Sequence, residues 1–161
     1  MILVLLGTQN NSFHRLLEEI HRLLQKEEIK DEVIVQAGYT KYQSENEKMK
    51  IFDFIEKQEL EELQKKADLI ITHGGVGSIL QSITKDKKVI AIPRLHQYQE
   101  HVNDHQKEIV ELFNEKGYII GIQGVEELQG AMKQVEKFRP KKYQKNNEKM
   151  LKIIEDFIEQ C

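Results

Sequence analysis

Short runs of consecutive apolar residues alternate with longer stretches in which apolar positions recur every three or four residues. The first run, Ile2-Leu3-Val4-Leu5-Leu6, stops at Gly7-Thr8-Gln9, the pattern of a strand buried on both faces. Phe13, Leu16, Leu17, Ile20, Leu23 and Leu24 then mark one face of a helix, with Asn11 or Ser12 as its N-cap. Val33-Ile34-Val35, closed by Gly38, predicts a second strand, and Ile51-Phe52-Asp53-Phe54 a third, with the polar stretch 39–50 as a loop between them. A short polar helix over 59–66 leads into the strand Asp68-Leu69-Ile70-Ile71-Thr72. Gly74-Gly75-Val76-Gly77 makes the turn into a helix over 78–84. Val89-Ile90-Ala91-Ile92 is a further strand, which Pro93 closes because it cannot donate to a ladder. A helix over 102–115 follows, with Ile109, Val110, Leu112 and Phe113 inward, then the short strand Tyr118-Ile119-Ile120. Val125, Leu128, Met132 and Val135 predict one more helix, and Met150, Leu151, Ile154, Phe157 and Ile158 a closing one over about 146–160.

Strands separated by helices imply an α/β fold with a mostly parallel, doubly wound sheet covered on both faces. Right-handed crossovers put the strand-to-helix loops along one edge, where ligands of such folds bind. At 161 residues the chain suits one domain with a real core. Hydrophobic residues at 39% against 32% charged ones give a globular balance rather than a disordered one. A net charge of −3 supplies no global field for nucleic acid, although Lys141, Lys142 and Lys145 form a local basic patch. The one cysteine, Cys161, has no partner for an internal disulfide, which fits a reducing cytoplasm. The apolar opening ends at Gly7, short of the roughly 20 residues of a membrane span and without the basic region of a signal peptide. Membrane work is therefore expected to depend on another protein.

Two segments concentrate the chemistry. In His73-Gly74-Gly75-Val76-Gly77-Ser78-Ile79-Leu80-Gln81 a strand runs through three glycines into a helix. Glycine admits close backbone approach, and the N–H groups of a helix start attract anions such as phosphate. Ser78 adds a hydroxyl. Replacing Gly75 with a bulky residue is expected to abolish nucleotide binding and leave the fold intact. The nicotinamide fingerprint fits only as Gly75-Val76-Gly77-Ser78-Ile79-Leu80, lacking its third glycine, and no P-loop lysine is present. The second segment, from Pro93-Arg94 through Glu100-His101-Val102-Asn103-Asp104-His105-Gln106, packs polar groups after a buried strand. Asp104 and Gln106 suit a sugar's hydroxyls. His101 and His105, four apart on a predicted helix, nearly complete an H-x-x-E-H metal pattern, with Asp104 in the Glu position. Gly7 and Thr8 belong to the same site if the first and fourth strands are neighbours. A plain strand–helix turn and a solvated helix cap are the alternatives. His14 and His21 flank the apolar stripe of the first helix, His14 nearer the first loop.

The run His73-Gly74-Gly75-Val76-Gly77-Ser78-Ile79-Leu80, then Pro93-Arg94 and Glu100 to Gln106, resembles the C-terminal domain of family 28 glycosyltransferases. It is most similar to the PssE-like catalytic subunits of bacterial exopolysaccharide and capsule synthesis, relatives of the small catalytic subunit of the dolichol-linked N-acetylglucosaminyltransferase. Gly7-Thr8-Gln9 and Gln36-Ala37-Gly38 add to the likeness, which covers about residues 1–120. The resemblance implies a Rossmann-like domain that is the donor-binding half of a GT-B enzyme. It implies inverting transfer of a hexose from a UDP-sugar to a lipid-linked acceptor, with no cofactor and no metal. The implied partner is a membrane-anchored PssD-like subunit that recruits the chain to the inner membrane face and supplies the general base, His14 being the weak candidate within this chain. Helix 146–160 would pack on that partner. By the same resemblance Gly7, Thr8, Gly74, Gly75, Gly77 and Ser78 face the diphosphate, with His73 and Arg94 beside them. Asn103, Asp104, His105 and Gln106 lie near the donor sugar. Gln81 stands where relatives often place an acidic residue for the ribose. A non-catalytic UDP-sugar-binding or activator subunit, a stand-alone transferase, and an epimerase or hydrolase on the same sheet are the alternatives.

Overall fold

In the computed structural model, the residues described are 1–144, 152 and 154–156. Among them, six strands form one parallel sheet in the order β3-β2-β1-β4-β5-β6. The strands are β1 Ile2–Leu5, β2 Val33–Gln36, β3 Met49–Phe52, β4 Leu69–His73, β5 Val89–Ile92 and β6 Ile120–Gly121. The helices are α1 His14–Gln25, α2 Lys57–Lys66, α3 Val76–Ile83, α4 His105–Glu115 and α5 Leu128–Gln134. The winding reverses between β1 and β4, which pair Ile2 with Leu69 through Leu5 with Thr72. That neighbour relation, on which the role of Gly7 and Thr8 depended, is therefore present.

Alternate residues of the central strands feed two cores. Val4, Leu6, Val33, Val35, Ile71 and Ile90 meet the buried stripe of α1 (Leu16, Leu17, Ile20, Leu23, Leu24) and Leu128 of α5 on one face. Leu3, Leu5, Ile70, Val89 and Ala91 meet Ile79 and Ile83 of α3 and Ile109, Val110 and Phe113 of α4 on the other. A side chain of this size stabilises by about 1.5–3 kcal/mol when fully buried, so each helix is held chiefly by its apolar stripe. Ile154 joins the second core. Lys152, Glu155 and Asp156 of the expected closing helix are helical as well, while the rest of it, Lys145 and Cys161 lie outside the described residues. Among the described residues, no helix is long and apolar enough to cross a membrane.

Several boundaries differ from the pattern reading. α1 begins after Phe13, with no side-chain cap from Asn11 or Ser12. Thr40 Oγ1 instead accepts the Phe13 N–H at 2.9 Å, and the Asn11 amide donates to Gln99 O at 3.0 Å. Tertiary partners have replaced the local cap. β3 starts two residues before the expected strand, and Phe52 and Phe54 are exposed. Their apolar character thus marks surface, where Tyr39 and Phe54 meet edge to face at 5.4 Å. α4 starts at His105 rather than 102, because 96–98 form a 3₁₀ turn and 100–104 remain irregular. α3 starts at Val76, two residues early, inside the glycine run.

Candidate functional site

The loops after β1, β4 and β5 converge at the C-terminal edge of the sheet. Gly75 is the N-cap of α3, and the first backbone bond of that helix runs from Ile79 N–H to Gly75 O at 3.1 Å. The N–H groups of Val76, Gly77 and Ser78 precede it and so have no acceptor within the helix. With the helix dipole they make a positive end equivalent to about half a charge. The glycines differ in what they allow. A Cβ on Gly75 would lie 2.3 Å from His73 Cε1, and one on Gly74 2.8 Å from Gln106 Cβ. A Cβ on Gly77 would meet nothing within 4 Å. A bulky residue at Gly75 would therefore disturb the fold as well as the site, contrary to the expectation above. Gly77 is the position that opens to solvent.

His73 ends β4 and is 4% exposed. Its ring lies against two glycines, Gly75 and Gly7, where a Cβ on Gly7 would sit 2.5 Å from Nε2. Gly7 also has φ +77°, a conformation that side chains disfavour. Burial, and then the charge of Arg94, push the His73 pKa down to about 3. The imidazole is neutral at any working pH. In the unfolded chain it returns to about 6.5, so below that value the unfolded state binds the extra proton. The sign is a loss of stability as pH falls from 6.5 towards 3. Between pH 6 and 4 this group should remove about 2–3 kcal/mol. Urea unfolding of His73→Asn should show a shallower acid decline than the parent by that amount; parallel declines would mean the ring is not buried as described.

Arg94, two residues past the end of β5, is 1% exposed. Its guanidinium donates to the carbonyls of Leu6, Asn11 (2.8 Å) and Glu100 (3.1 Å), and its charge centre lies 5.2 Å from the Phe13 ring. Burial pulls its pKa down to about 10, still fully charged. Glu100, buried beside it, receives Arg15 through Nε at 2.7 Å and Nη2 at 3.0 Å. Two guanidiniums against one carboxylate leave one net positive charge between the loops after β1 and β5. Gln106 is buried too, its Oε1 accepting the N–H groups of Gly74 and Arg94 at 3.0 Å each. Arg94 and Gln106 thus face inward as struts between the loops, not outward to a ligand.

The remaining predicted residues sit on the rim. Thr8 and Asp104 are exposed, and Asn103 and His105 half-buried. Asp104 Oδ1 accepts the His96 N–H at 2.9 Å, and Asn103 Oδ1 the His105 N–H at 3.0 Å. Gln81 is exposed one helical turn beyond Gly77 and shares its face. His14, paired with Glu18 at 2.9 Å and edge-on to Tyr42 at 5.0 Å, lies towards the loop after β2, away from β4. Because 101–104 are not helical, His101 and His105 do not stack on one helical face, and the metal pattern is not built.

Arg15, which no motif marked, was not singled out for the site beforehand, and neither were Glu100 and His101, the latter 8% exposed and weighed only as a metal ligand. His101 lines a crevice of about 370 Å³ with Thr8, Gln9, Asn10, Asn11 and Val102. The position of Glu100 and His101 just before the Asn103–Gln106 run was the available signal. A second cavity of about 370 Å³, lined by Ile2, Leu23, Asp68, Leu69 and Met132 among others, opens at the opposite edge. Its lining includes Ile2 and Leu69, where β1 and β4 begin.

The chain belongs to the glycosyltransferase family 28 C-terminal domain, whose family model matches residues 1–161. A search of curated proteins found no match. Solved structures of similar fold include ALG13, at 21% identity and TM-score 0.57, over 86% of this chain and 87% of that one. Acinetobacter baumannii MurG is similar at 19% identity and TM-score 0.58, over 83% of this chain. The Methanocaldococcus jannaschii UDP-GlcNAc 2-epimerase, solved with UDP-GlcNAc and UDP, is similar at 21% identity and TM-score 0.61, over 96% of this chain. The chain spans only 40% of the length of MurG and 44% of that epimerase.

Proposed function

We propose that this chain is the donor-binding half of an inverting UDP-sugar glycosyltransferase. One observation carries the reading: the free N–H groups of Val76, Gly77 and Ser78 open, beside the unobstructed Gly77, onto the β1/β4 switch point. Family membership and the epimerase's bound UDP and UDP-GlcNAc support the choice of nucleotide. In transfer, an acceptor hydroxyl attacks the anomeric carbon as the UDP oxygen departs. The diphosphate gains negative charge in that step, and preorganised N–H donors stabilise it there. The excess positive charge of the buried Arg94 and half-buried Arg15 over Glu100 acts in the same direction. In this reading Gln81, exposed one turn along α3, meets the ribose, and the exposed edge of Asp104 meets the hexose.

A single half needs a second to hold the acceptor. The proposal therefore includes a membrane-anchored partner of the PssD-like kind, which brings the lipid-linked acceptor and the general base at the inner membrane face, in exopolysaccharide or capsule synthesis. Transfer is expected only when that subunit is supplied. The donor site itself is testable in the isolated chain by amide NMR with UDP, UMP and uridine. The Val76, Gly77 and Ser78 amides should shift most, and affinity should fall in that ligand order. Shifts clustered at the opposite edge, around Leu23 and Met132, would remove the basis of the proposal.

A further inference from the structure

The hydrogen-bond pattern around Gln106 dictates where the proton sits on a neighbouring ring. Gln106 Oε1 accepts two backbone N–H groups, from Gly74 and Arg94, at 3.0 Å each. Both partners can only donate, so the orientation of this amide is settled by its surroundings. Its NH₂ group therefore faces His73 Nδ1, at 3.2 Å. An NH₂ donates and does not accept, so Nδ1 carries the lone pair and the proton of the neutral ring is on Nε2. Nε2 in turn lies 3.3 Å from Ser78 Oγ. The ring donates and the hydroxyl oxygen accepts. That leaves the hydroxyl's own proton for an acceptor outside this chain of bonds.

Ser78 is the third residue of α3, half-buried beside the exposed Gly77. We propose that His73 is a positioning residue: Gln106 holds it as the Nε2–H tautomer, and this makes the Ser78 hydroxyl an obligatory donor to the anion bound at the start of α3. The inference rests on the diphosphate reading of that site and names how one of its donors is set. In the other tautomer Nε2 would accept the hydroxyl proton, and Ser78 would present only lone pairs to an anion. The ring is too covered by Gly7 and Gly75 to reach a ligand itself. Its burial also keeps it from becoming an imidazolium, which would place a second proton against the Gln106 NH₂.

The test combines ¹⁵N spectra of the His73 ring with UDP titrations of the parent, Gln106→Glu, Ser78→Ala and the double variant. In the parent, Nε2 should be protonated and Nδ1 bare. Ser78→Ala should bind UDP about tenfold more weakly, the usual loss for one hydrogen bond to a charged acceptor. In Gln106→Glu one carboxylate oxygen keeps the two backbone N–H groups while the other draws a proton to Nδ1. Its UDP affinity, taken relative to the parent at each pH, should fall as Nε2 loses its proton at high pH and recover as the proton returns. In the Ser78→Ala background that dependence should vanish. A parent ring protonated on Nδ1, or a Gln106→Glu affinity indifferent to Nε2, overturns the proposal. A parent that ignores UDP sinks the donor reading itself; a parent that binds UDP no better than Ser78→Ala sinks only this step.

Discussion

Gly77→Asp is expected to weaken UDP binding by about two orders of magnitude while leaving the melting temperature at or above that of the parent. The two halves of this expectation come from different features of one position. A Cβ at Gly77 meets nothing within 4 Å, so the new side chain is accommodated without movement. It stands in the first turn of α3, where a carboxylate favours the helix dipole by about 0.3–1 kcal/mol and glycine's own helix penalty is relieved. A diphosphate held by the same N–H groups would lie about 5 Å from that carboxylate. At an effective dielectric of about 40, the carboxylate opposes each of two diphosphate charges there by about 1.7 kcal/mol, about 3 kcal/mol in all and roughly a hundredfold in affinity. Gly77→Asn, of similar size and uncharged, should lose much less. Titration calorimetry beside thermal melts measures both halves. If Gly77→Asp binds UDP as the parent does, the anion is not at this helix start.

The same experiment at Gly75 would have confounded fold with function, and the reason shows where a lone sequence stops being informative. Three glycines before a helix state that backbone comes close to something, without saying to what. At Gly74 and Gly75 the close neighbours are side chains of the protein itself, Gln106 and His73. Only at Gly77 is the space open. Arg94 and Gln106 illustrate a related blind spot. Polar residues after a buried strand at the binding edge read as ligand contacts, yet these two are spent on carbonyls and amides of loops far away in the chain. No spacing rule reports the partner of a buried polar group when that partner is 32 or 88 positions distant.

The sheet was more transparent. Continuous apolar runs such as 69–71 and 89–92 are buried on both faces, and nothing but a central parallel strand accommodates them. The helices with a clean apolar stripe were equally plain. Errors gathered where local and tertiary interactions compete. The strand at 49–52 is an edge, where pairing to β2 and not hydrophobicity selects the residues, so Phe54 misled. The cap of α1 went to Thr40, and the start of α4 was delayed by Asp104 bonding the backbone of His96.

Arg94→Met is the second large effect, and it falls on stability. Methionine keeps most of the volume against Phe13 and loses every donor. The buried carbonyls of Leu6 and Glu100 would then lie unpaired, each at about 1 kcal/mol or more, while that of Asn11, at the edge of the crevice, can turn to water. The Arg15–Glu100 pair remains, but Glu100 loses the second positive charge that offsets its burial. Together these point to a loss of about 3–5 kcal/mol, which for a chain of this length lowers the melting temperature by roughly 10 °C. Arg94→Lys should fall nearly as far, since one ammonium on a flexible stem cannot span three carbonyls as the planar fork does. Arg94 is also the group that joins the end of β1, the following loop and the segment before α4, so the variant that still folds should show raised amide exchange in all three places at once. A melting temperature within about 2 °C of the parent, or exchange confined to the β5 loop, would mean that Arg94 is not the tie between them.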